Sequence, residues 1–421
     1  MHNTRRIASG LLAVLLSAGA GTGCDGQDAG GLDDDRLRVM IDSLLPGIAE
    51  ASGLEVRRSV SFAVQPRSEV RSFIEGQLRD ELTPEELDGM DRVYKGLGLL
   101  PDTLDLRALL LELYTEQVVG YYDPRTDRLY VVEGATPETV APVVAHELVH
   151  ALQDQHADLD SLVARERGND RQVAAQAAAE GQATLVMMAL QASQLSGQPI
   201  DPGSLPDLGP LLRPALEAEN QQYPVFQNAP RIIQETLLFP YLSGAAFVQE
   251  LFRAHTGAGV PVPFGPQLPQ STEQVMNPRT HFLADRDAPT ELTLSEPDEG
   301  WEAAYSNTLG QLEVGIFLTE HLGDGEATAD GWDGDRYVLL RGPADRHAVV
   351  WYSVWDDDAA ADRFADAYRR TLGARPSRVG RVERAEVGGR PVVTVVEADR
   401  EVGLDAVPVP ALLTLEERPE M

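Results

Sequence analysis

Cysteine is almost absent from this chain of 421 residues, and the single one, Cys24, excludes an internal disulfide. Histidine is also scarce, with eight residues. Basic residues number 35 against 67 acidic ones, and the net charge of −32 argues against binding nucleic acid or anionic lipid headgroups through the protein body. No complete D-x-D-x-D-G calcium loop occurs, and beyond the N-terminal leader no run of 18 apolar residues predicts a membrane span.

The first 24 residues have the order of an export signal. Arg5 and Arg6 form a charged region, residues 7–20 form an apolar region, and small residues lead to Cys24. This resembles a bacterial lipoprotein signal, although Gly21 stands where that signal prefers an aliphatic residue. We therefore expect export to the bacterial cell envelope and a membrane attachment only through a lipid on Cys24. An ordinary cleaved signal and a secreted protein are the alternative.

Patterning divides the rest of the chain into a tether and two folded parts. The predicted divisions are a signal peptide (1–24), a Gly- and Asp-rich tether (25–35), a mostly helical domain (36–300) and an accessory domain (301–421). The last part has strands and a helix in β-β-α-β-β order, with a hairpin turning at Gly388-Gly389. The predicted fold class is therefore α+β, with a mostly helical first domain that carries a short edge hairpin.

Local signals predict several elements of the helical part. Thr83 followed by Pro84 predicts the start of a helix, and residues 120–133 predict a β-hairpin. The five prolines of residues 197–214 predict a loop or lid, and a further helix is expected over Tyr241–His255.

The segment VVAHELVHALQDQHAD, residues 143–158, contains three of the eight histidines and an H-E-x-x-H pattern inside an apolar helix. Residues four apart on a helix lie about 40° apart around its axis, so His146 and His150 can bind one metal ion. Two imidazoles and a third ligand leave Zn²⁺ an open position for water. Glu147, rotated by about 100° from His146, can accept a proton from that water.

Two residues compete for the position of third ligand. His156 has the spacing of the metzincin motif, but Gln153 replaces the glycine at which that motif leaves the helix. Glu180 is the one acid of a predicted Ala-rich helix over Gln172–Leu195, and an isolated carboxylate among alanines requires a partner. Gly181 is expected to let this helix approach the H-E-x-x-H helix closely. If Glu180 is the ligand, His156 does not bind the metal and instead lies around the metal ligands or on the substrate side.

The segments GYYDPRTDRLYVV, HELVHALQDQH, EGQAT, FPYLSG and STEQV, in this order, resemble a family of bacterial zincin-like, gluzincin-type metallopeptidases that are often lipoproteins. The resemblance covers roughly residues 80–285 and, more loosely, GWDGDR at 331–336. It implies a zinc site at His146, His150 and Glu180, with Glu147 as general base. In zincins, the edge strand before this helix also pairs with the substrate backbone. A plain structural hairpin is the alternative use of residues 120–133.

The expected activity is hydrolysis of peptide bonds in a peptide or protein substrate by a metal-activated water. A donor for the developing oxyanion is also needed, and Tyr241 and His281 are the candidates. One alternative is an inactive zincin-fold envelope lipoprotein used for binding or assembly. Another is a zinc amidase that acts on a cell-wall bond. The sequence leaves the cleavage specificity and the oligomeric state open.

Overall fold

The computed structural model describes residues 33–134, 136–162, 164, 167–255, 259–298, 300–323 and 325–417. The predicted signal peptide, including Cys24, and most of the tether lie outside the described residues. The helices are α1 (Asp34–Ser52), α2 (Arg67–Glu81), α3 (Pro84–Gly96), α4 (Leu106–Gln117), α5 (Pro137–His156), α6 (Leu159–Leu162), α7 (Asn169–Ser196), α8 (Leu208–Asn220), α9 (Pro224–Asn228), α10 (Arg231–Ala254), α11 (Thr272–Met276), α12 (Gly310–Leu322), α13 (Glu326–Ala329) and α14 (Asp358–Ala374).

The strands form three sheets. They are β1 (Ser61–Gln65), β2 (Gly120–Asp123), β3 (Arg128–Val132), β4 (Thr290–Leu294), β5 (Glu302–Asn307), β6 (Trp332–Gly342), β7 (Arg346–Trp355), β8 (Arg378–Val387), β9 (Arg390–Asp399) and β10 (Leu412–Glu417). The sheet orders are β1-β3-β2, β10-β4 and β5-β6-β7-β9-β8. Only β1 and β3 pair in parallel. The predicted α+β class, with a β-rich C-terminal part, is therefore confirmed.

The helix-capping signal at Thr83 and the turn signal of the hairpin have the predicted effects. At the start of α3, the Thr83 hydroxyl accepts a hydrogen bond from the Glu86 amide at 3.2 Å, and the Glu86 carboxylate accepts one from the Thr83 amide at 3.0 Å. In the hairpin, the Thr126 amide donates to the Asp123 carbonyl at 3.2 Å, and Asp127 takes a left-handed conformation with φ of 51°. The pairing of Tyr121 with Tyr130 sets the register of β2 on β3.

The central strands β6, β7 and β9 of the five-stranded sheet have buried apolar side chains on both faces, because successive side chains of a strand point to opposite sides. Leu339 and Trp351 lie in the main hydrophobic core, together with α12, α14 and the helices of the first part. Leu340 and Val350 lie on the opposite face, in a smaller core that includes Leu292 of β4. The pairing of β4 with β10 therefore crosses the division predicted at residue 300. No helix among the described residues is both long enough and apolar enough to cross a membrane.

Two helices differ from the prediction, since each of them continues through a proline. The loop or lid expected over residues 197–214 is wrong in its second half, where α8 begins at Leu208 and contains Pro214. The helix expected from Tyr241 begins ten residues earlier, at Arg231, and contains Pro240.

Candidate metal centre

Helices α5 and α7 bring His146, His150 and Glu180 together. The Nε2 atom of His146 lies 2.9 Å from Glu180 Oε2, and Nε2 of His150 lies 3.5 Å from the same oxygen. One ligand atom from each residue falls within 4.8 Å of the others. The one-turn spacing on α5 aligns the two imidazoles, and the isolated acid of the Ala-rich α7 faces them.

Gln153 fixes the tautomer of His150. The Gln153 side-chain amide donates to the Ala179 carbonyl at 2.9 Å, so its oxygen must face His150 Nδ1, at 2.8 Å. Because an amide oxygen only accepts, His150 Nδ1 carries the proton. In the neutral ring the lone pair is then on Nε2, the atom that lies near Glu180.

Two further bonds anchor this arrangement in the fold. The Gln153 amide also donates to Gln182 Oε1 at 3.0 Å, and the Gln182 amide donates to the Ser52 carbonyl at the end of α1, at 3.1 Å. Helices α1, α5 and α7 thus share one chain of hydrogen bonds that ends on a ring of the candidate centre.

The two oxygens of Glu147 have different partners. Oε2 accepts a hydrogen bond from the Tyr122 amide of β2 at 2.8 Å, whereas Oε1 has no partner among the described residues. In β2, the pairing of Tyr121 with Tyr130 and the bond from Val132 N to Val119 O place the Tyr122 amide on the outer edge of the sheet. The free edge of the hairpin therefore faces Glu147.

Burial and charge set the protonation of the centre. Although burial alone raises the pKa of Glu180, His150 and His146 lower it to about 2, so this carboxylate is ionised. Burial lowers the pKa of His146 despite the Glu180 carboxylate. For His150, burial also lowers the pKa, but the Glu180 carboxylate, Glu147 and Gln153 together outweigh burial and raise the pKa to about 9. Burial raises the pKa of Glu147 to about 8, and a cation beside it would lower that value.

The unpartnered atoms of the centre fit a bound zinc ion. Four buried atoms have no hydrogen-bond partner among the described residues, namely His146 Nδ1, His150 Nε2, Glu147 Oε1 and Glu180 Oε1, although His150 Nε2 lies 3.5 Å from Glu180 Oε2. Buried polar atoms are satisfied in most folds, so such a concentration calls for a cation or water. Two imidazoles and one carboxylate are a zinc donor set with a position left open. Because Glu180 only accepts, His146 Nε2 carries a proton here, and that proton must leave or move to Nδ1 when a metal binds.

The other candidate residues separate into near and remote ones. Tyr241 of α10 lies beside His146, with ring centroids 6.1 Å apart, and both are buried. Burial, followed by the charges of Glu180 and Glu147, keeps the pKa of Tyr241 well above its ordinary value, so its hydroxyl keeps its proton. His281 is not brought to this centre, since its Nδ1 lies 2.9 Å from Asp287 Oδ2.

His156 is directed elsewhere, because α5 continues to that residue. Its Nε2 lies 2.8 Å from the Glu55 carbonyl. Gly181 also differs from expectation, since it faces α10 and not α5. A Cβ at Gly181 would lie 2.1 Å from the Gly244 carbonyl oxygen, so the glycine permits contact between the backbones of α7 and α10.

Sequence reasoning missed the outer groups of the centre. In the sequence, Gln153 stands out only because it occupies the position of the metzincin glycine. Its position three residues after His150 nevertheless places both residues on one helix face. Gln182, two residues after Glu180, gave no separate signal. The contact between Tyr122 and Glu147 depends on how the hairpin docks on α5, which a local pattern does not specify.

The centre is closed in this structure. The exposed fraction is 0% for His146, Glu147 and Glu180 and 1% for His150. All four residues of β2 are buried as well. A molecule from solvent can therefore reach Glu147 only after the covering elements move.

Comparison with known proteins matches the C-terminal part. A family model described as a domain of unknown function (DUF8575) matches residues 296–409. That segment contains the five-stranded sheet and α12 to α14, and it excludes the helices that carry the candidate centre. No curated protein and no solved structure matches the chain.

Proposed function

We propose that this chain is a zinc-dependent metallopeptidase with a zincin-like, gluzincin-type catalytic part. The observation that carries the proposal is the approach of His146, His150 and Glu180 to within 4.8 Å of one another, beside Glu147 on the same helix. Gln153 supports it by holding a proton on His150 Nδ1, so that Nε2 is the ring atom that would bind the metal. The donor set fits zinc, and the neighbouring acid fits the role of a base.

Each residue of the centre has a separate role in the proposed reaction. A zinc ion held by His146, His150 and Glu180 would supply Lewis acidity and a lowered pKa for water. Glu147 accepts the proton at Oε1, because the Tyr122 amide holds Oε2 in place. The protonated Tyr241 hydroxyl is the candidate hydrogen-bond donor to the oxyanion that develops on the substrate. Glu147 then returns the proton to the leaving amine.

The edge of the hairpin favours an extended peptide as substrate. Strand β2 lies at one edge of its sheet, and its outer side faces Glu147. A peptide that pairs with this edge would lie with its backbone beside the centre. Because β2 is buried here, the proposal requires an opening of the covering helices before the peptide enters.

A second candidate follows from that burial. Structural zinc sites are closed, whereas catalytic ones keep an accessible position. An inactive zincin-fold protein that holds zinc for stability, and serves binding or assembly at the envelope, agrees with side chains that are 0–1% exposed. The contact between Glu147 and the hairpin edge favours the peptidase, since a structural ion has no use for a base.

The proposal includes export and a lipid anchor on Cys24. This residue lies outside the described residues, so its support comes from the order of charged, apolar and small residues in the sequence alone.

Zinc content and turnover, measured together, test the proposal. The purified chain should carry tightly bound zinc and should cleave an unstructured protein, and a chelator should abolish the cleavage. Zinc without cleavage of either unstructured protein or cell-wall fragments would favour the structural role. Cleavage of only a non-peptide amide would assign the chain to the amidases. A chain that binds no zinc would refute all three.

A further inference from the structure

A second cluster of possible metal ligands lies far from the first. It consists of Glu273 on α11 and of His281 and Asp287 in the segment that follows, and one ligand atom of each lies within 4.8 Å of the others. We refer to it as the Glu273 cluster. The Thr272 hydroxyl bonds Asp170 at the start of α7, ten residues before Glu180, which places the two centres ~15 Å apart along that helix.

Glu273 lies at the buried end of the cluster. Its exposed fraction is 1%, and Oε1 has no hydrogen-bond partner in the part of the chain that the structure describes. Burial, followed by the charges of Asp356, Asp287 and Asp333, raises its pKa well above the ordinary value. A buried carboxylate without a partner is unfavourable unless it binds a proton or a cation.

The other two ligands are partly exposed and are held in position. The exposed side-chain fraction is 22% for His281 and 37% for Asp287, so an ion can enter from solvent at this end. The Gln274 side-chain amide donates to the Asp287 backbone carbonyl at 2.6 Å, and the Asp287 backbone amide donates to the His281 carbonyl at 3.2 Å. These two hydrogen bonds fix the backbone around the cluster.

Two carboxylates of the C-terminal sheet increase the negative charge. Asp333 lies in β6, where Thr290 and Arg390 bond it, and Asp356 follows β7. Burial, followed by Asp287 and Asp333, raises the pKa of Asp356 to about 6. The charges of Asp356 and Asp333 both act on Glu273, and such a concentration of acidic groups attracts a cation.

We propose that Glu273, His281 and Asp287 bind a divalent transition-metal ion of the zinc or manganese class. An imidazole beside two carboxylates suits these ions better than calcium or magnesium, which prefer oxygen ligands alone. This site is independent of the proposed peptidase centre.

The test uses the His146→Ala chain, in which the first centre lacks a ligand. Calorimetric titration with Zn²⁺ and Mn²⁺ should still detect one ion per chain, and saturation should raise the melting temperature. Adding Glu273→Gln should weaken the binding of that ion by ~100-fold or more. Even the loss of a group that only hydrogen-bonds a ligand weakens metal binding ~10–100-fold. Asp287→Asn is the second variant and should act in the same direction. Glu401→Gln, an exposed acid elsewhere, should change nothing.

Three results would overturn the inference. They are the absence of ion binding to the His146→Ala chain, an unchanged affinity after Glu273→Gln, and tighter binding of Ca²⁺ or Mg²⁺ than of Zn²⁺ or Mn²⁺. Each is separable from failure of the peptidase proposal, because none depends on turnover or on the first centre.

Discussion

The two Glu147 oxygens have unequal surroundings. This suits the residue to the proposed role of a base, as distinct from that of a metal ligand. The Tyr122 amide orients Oε2, and the unpartnered Oε1 is available to a water. Burial raises its pKa to about 8, and a cation beside it would lower that value toward the range where a base works near neutral pH.

Glu147→Gln should therefore keep zinc and lose turnover by more than the ~10²–10⁴-fold typical of a general base, since orientation of the water is lost as well. Zinc content by elemental analysis and cleavage of an unstructured protein provide the two readouts. Glu133→Gln, an exposed acid after β3, is the control and should keep both. Loss of zinc from Glu147→Gln would show that Glu147 is itself a ligand.

At the residue scale, the sequence predicted that two histidines of one helix and an acid of another lie close together. The spacing of His146 and His150 is a property of any helix, and Glu180 stood out as a lone acid among alanines. The separation of His281 from this centre was not predictable, because it depends on how the segment after α10 folds back. The contacts of Gln153 likewise depend on tertiary packing.

Among the elements, α7 and α10 make the closest contact that bears on the centre. A Cβ at Gly181 would lie 2.1 Å from the Gly244 oxygen, and one at Gly244 would lie 2.2 Å from the Ala177 oxygen. Backbone meets backbone at both positions, so neither neighbour can rotate away. This contact positions Tyr241 of α10 over His146 of α5.

Gly181→Ala should destabilise the protein by about 1–3 kcal/mol or more, because the added methyl group overlaps the α10 backbone. Gly76→Ala is a matched control, since Gly76 lies within α2 and its Cβ would meet nothing within 4 Å. That control should be stabilised by about 0.5–1 kcal/mol. Urea unfolding measures both, and equal stability of the two variants would contradict the close packing.

The hairpin, α3 and α5 were predictable because their signals are local, as with the capping pair Thr83 and Glu86. The starts of α8 and α10 were not. Pro214 and Pro240 lie within these helices, the first exposed and the second buried, and a single sequence does not show whether a helix continues through a proline.

For the whole molecule, Glu313 joins the two parts of the chain. This buried residue of α12 accepts hydrogen bonds from the Tyr94 hydroxyl of α3 and the Asn169 amide of α7, both at 2.8 Å. Its other oxygen, Oε2, is without a partner among the residues described. Burial raises its pKa to about 8, although the two hydrogen bonds act in the opposite direction.

Glu313→Gln should be more stable than the parent protein at pH 8 and similar to it at pH 5. The folded protein keeps the Glu313 proton up to a pKa of about 8, whereas the unfolded chain loses it near the ordinary 4.5. The parent's free energy of unfolding therefore falls, relative to the variant, as pH rises through this window. The difference is on the order of 3 kcal/mol, since one pKa unit is about 1.4 kcal/mol.

Urea unfolding of both proteins at the two pH values measures this difference. Glu326→Gln, an exposed residue of α13, is the control and should follow the parent. A variant that loses stability relative to the parent as pH rises would contradict the assignment of Glu313 as a buried, protonated acid.

Lipidation concerns the part of the chain outside the described residues. Because Cys24 is the one cysteine and ends a signal-like sequence, the mature protein should begin at a lipid-modified Cys24. Mass spectrometry of the mature N-terminus decides this. Cleavage at another position, or an unmodified Cys24, would make the protein a secreted one.

The central claim is that Glu180, and not His156, completes the zinc site with His146 and His150. A chelator titration of zinc content tests it most directly, with Glu180→Gln and His156→Ala compared in a Glu273→Gln background so that the Glu273 cluster binds no ion. Glu180→Gln should release zinc at a chelator concentration lower by ~10-fold or more, because a charged ligand is lost. His156→Ala should match the parent, since His156 bonds the Glu55 carbonyl. Ready loss of zinc from His156→Ala, with retention in Glu180→Gln, would contradict the account.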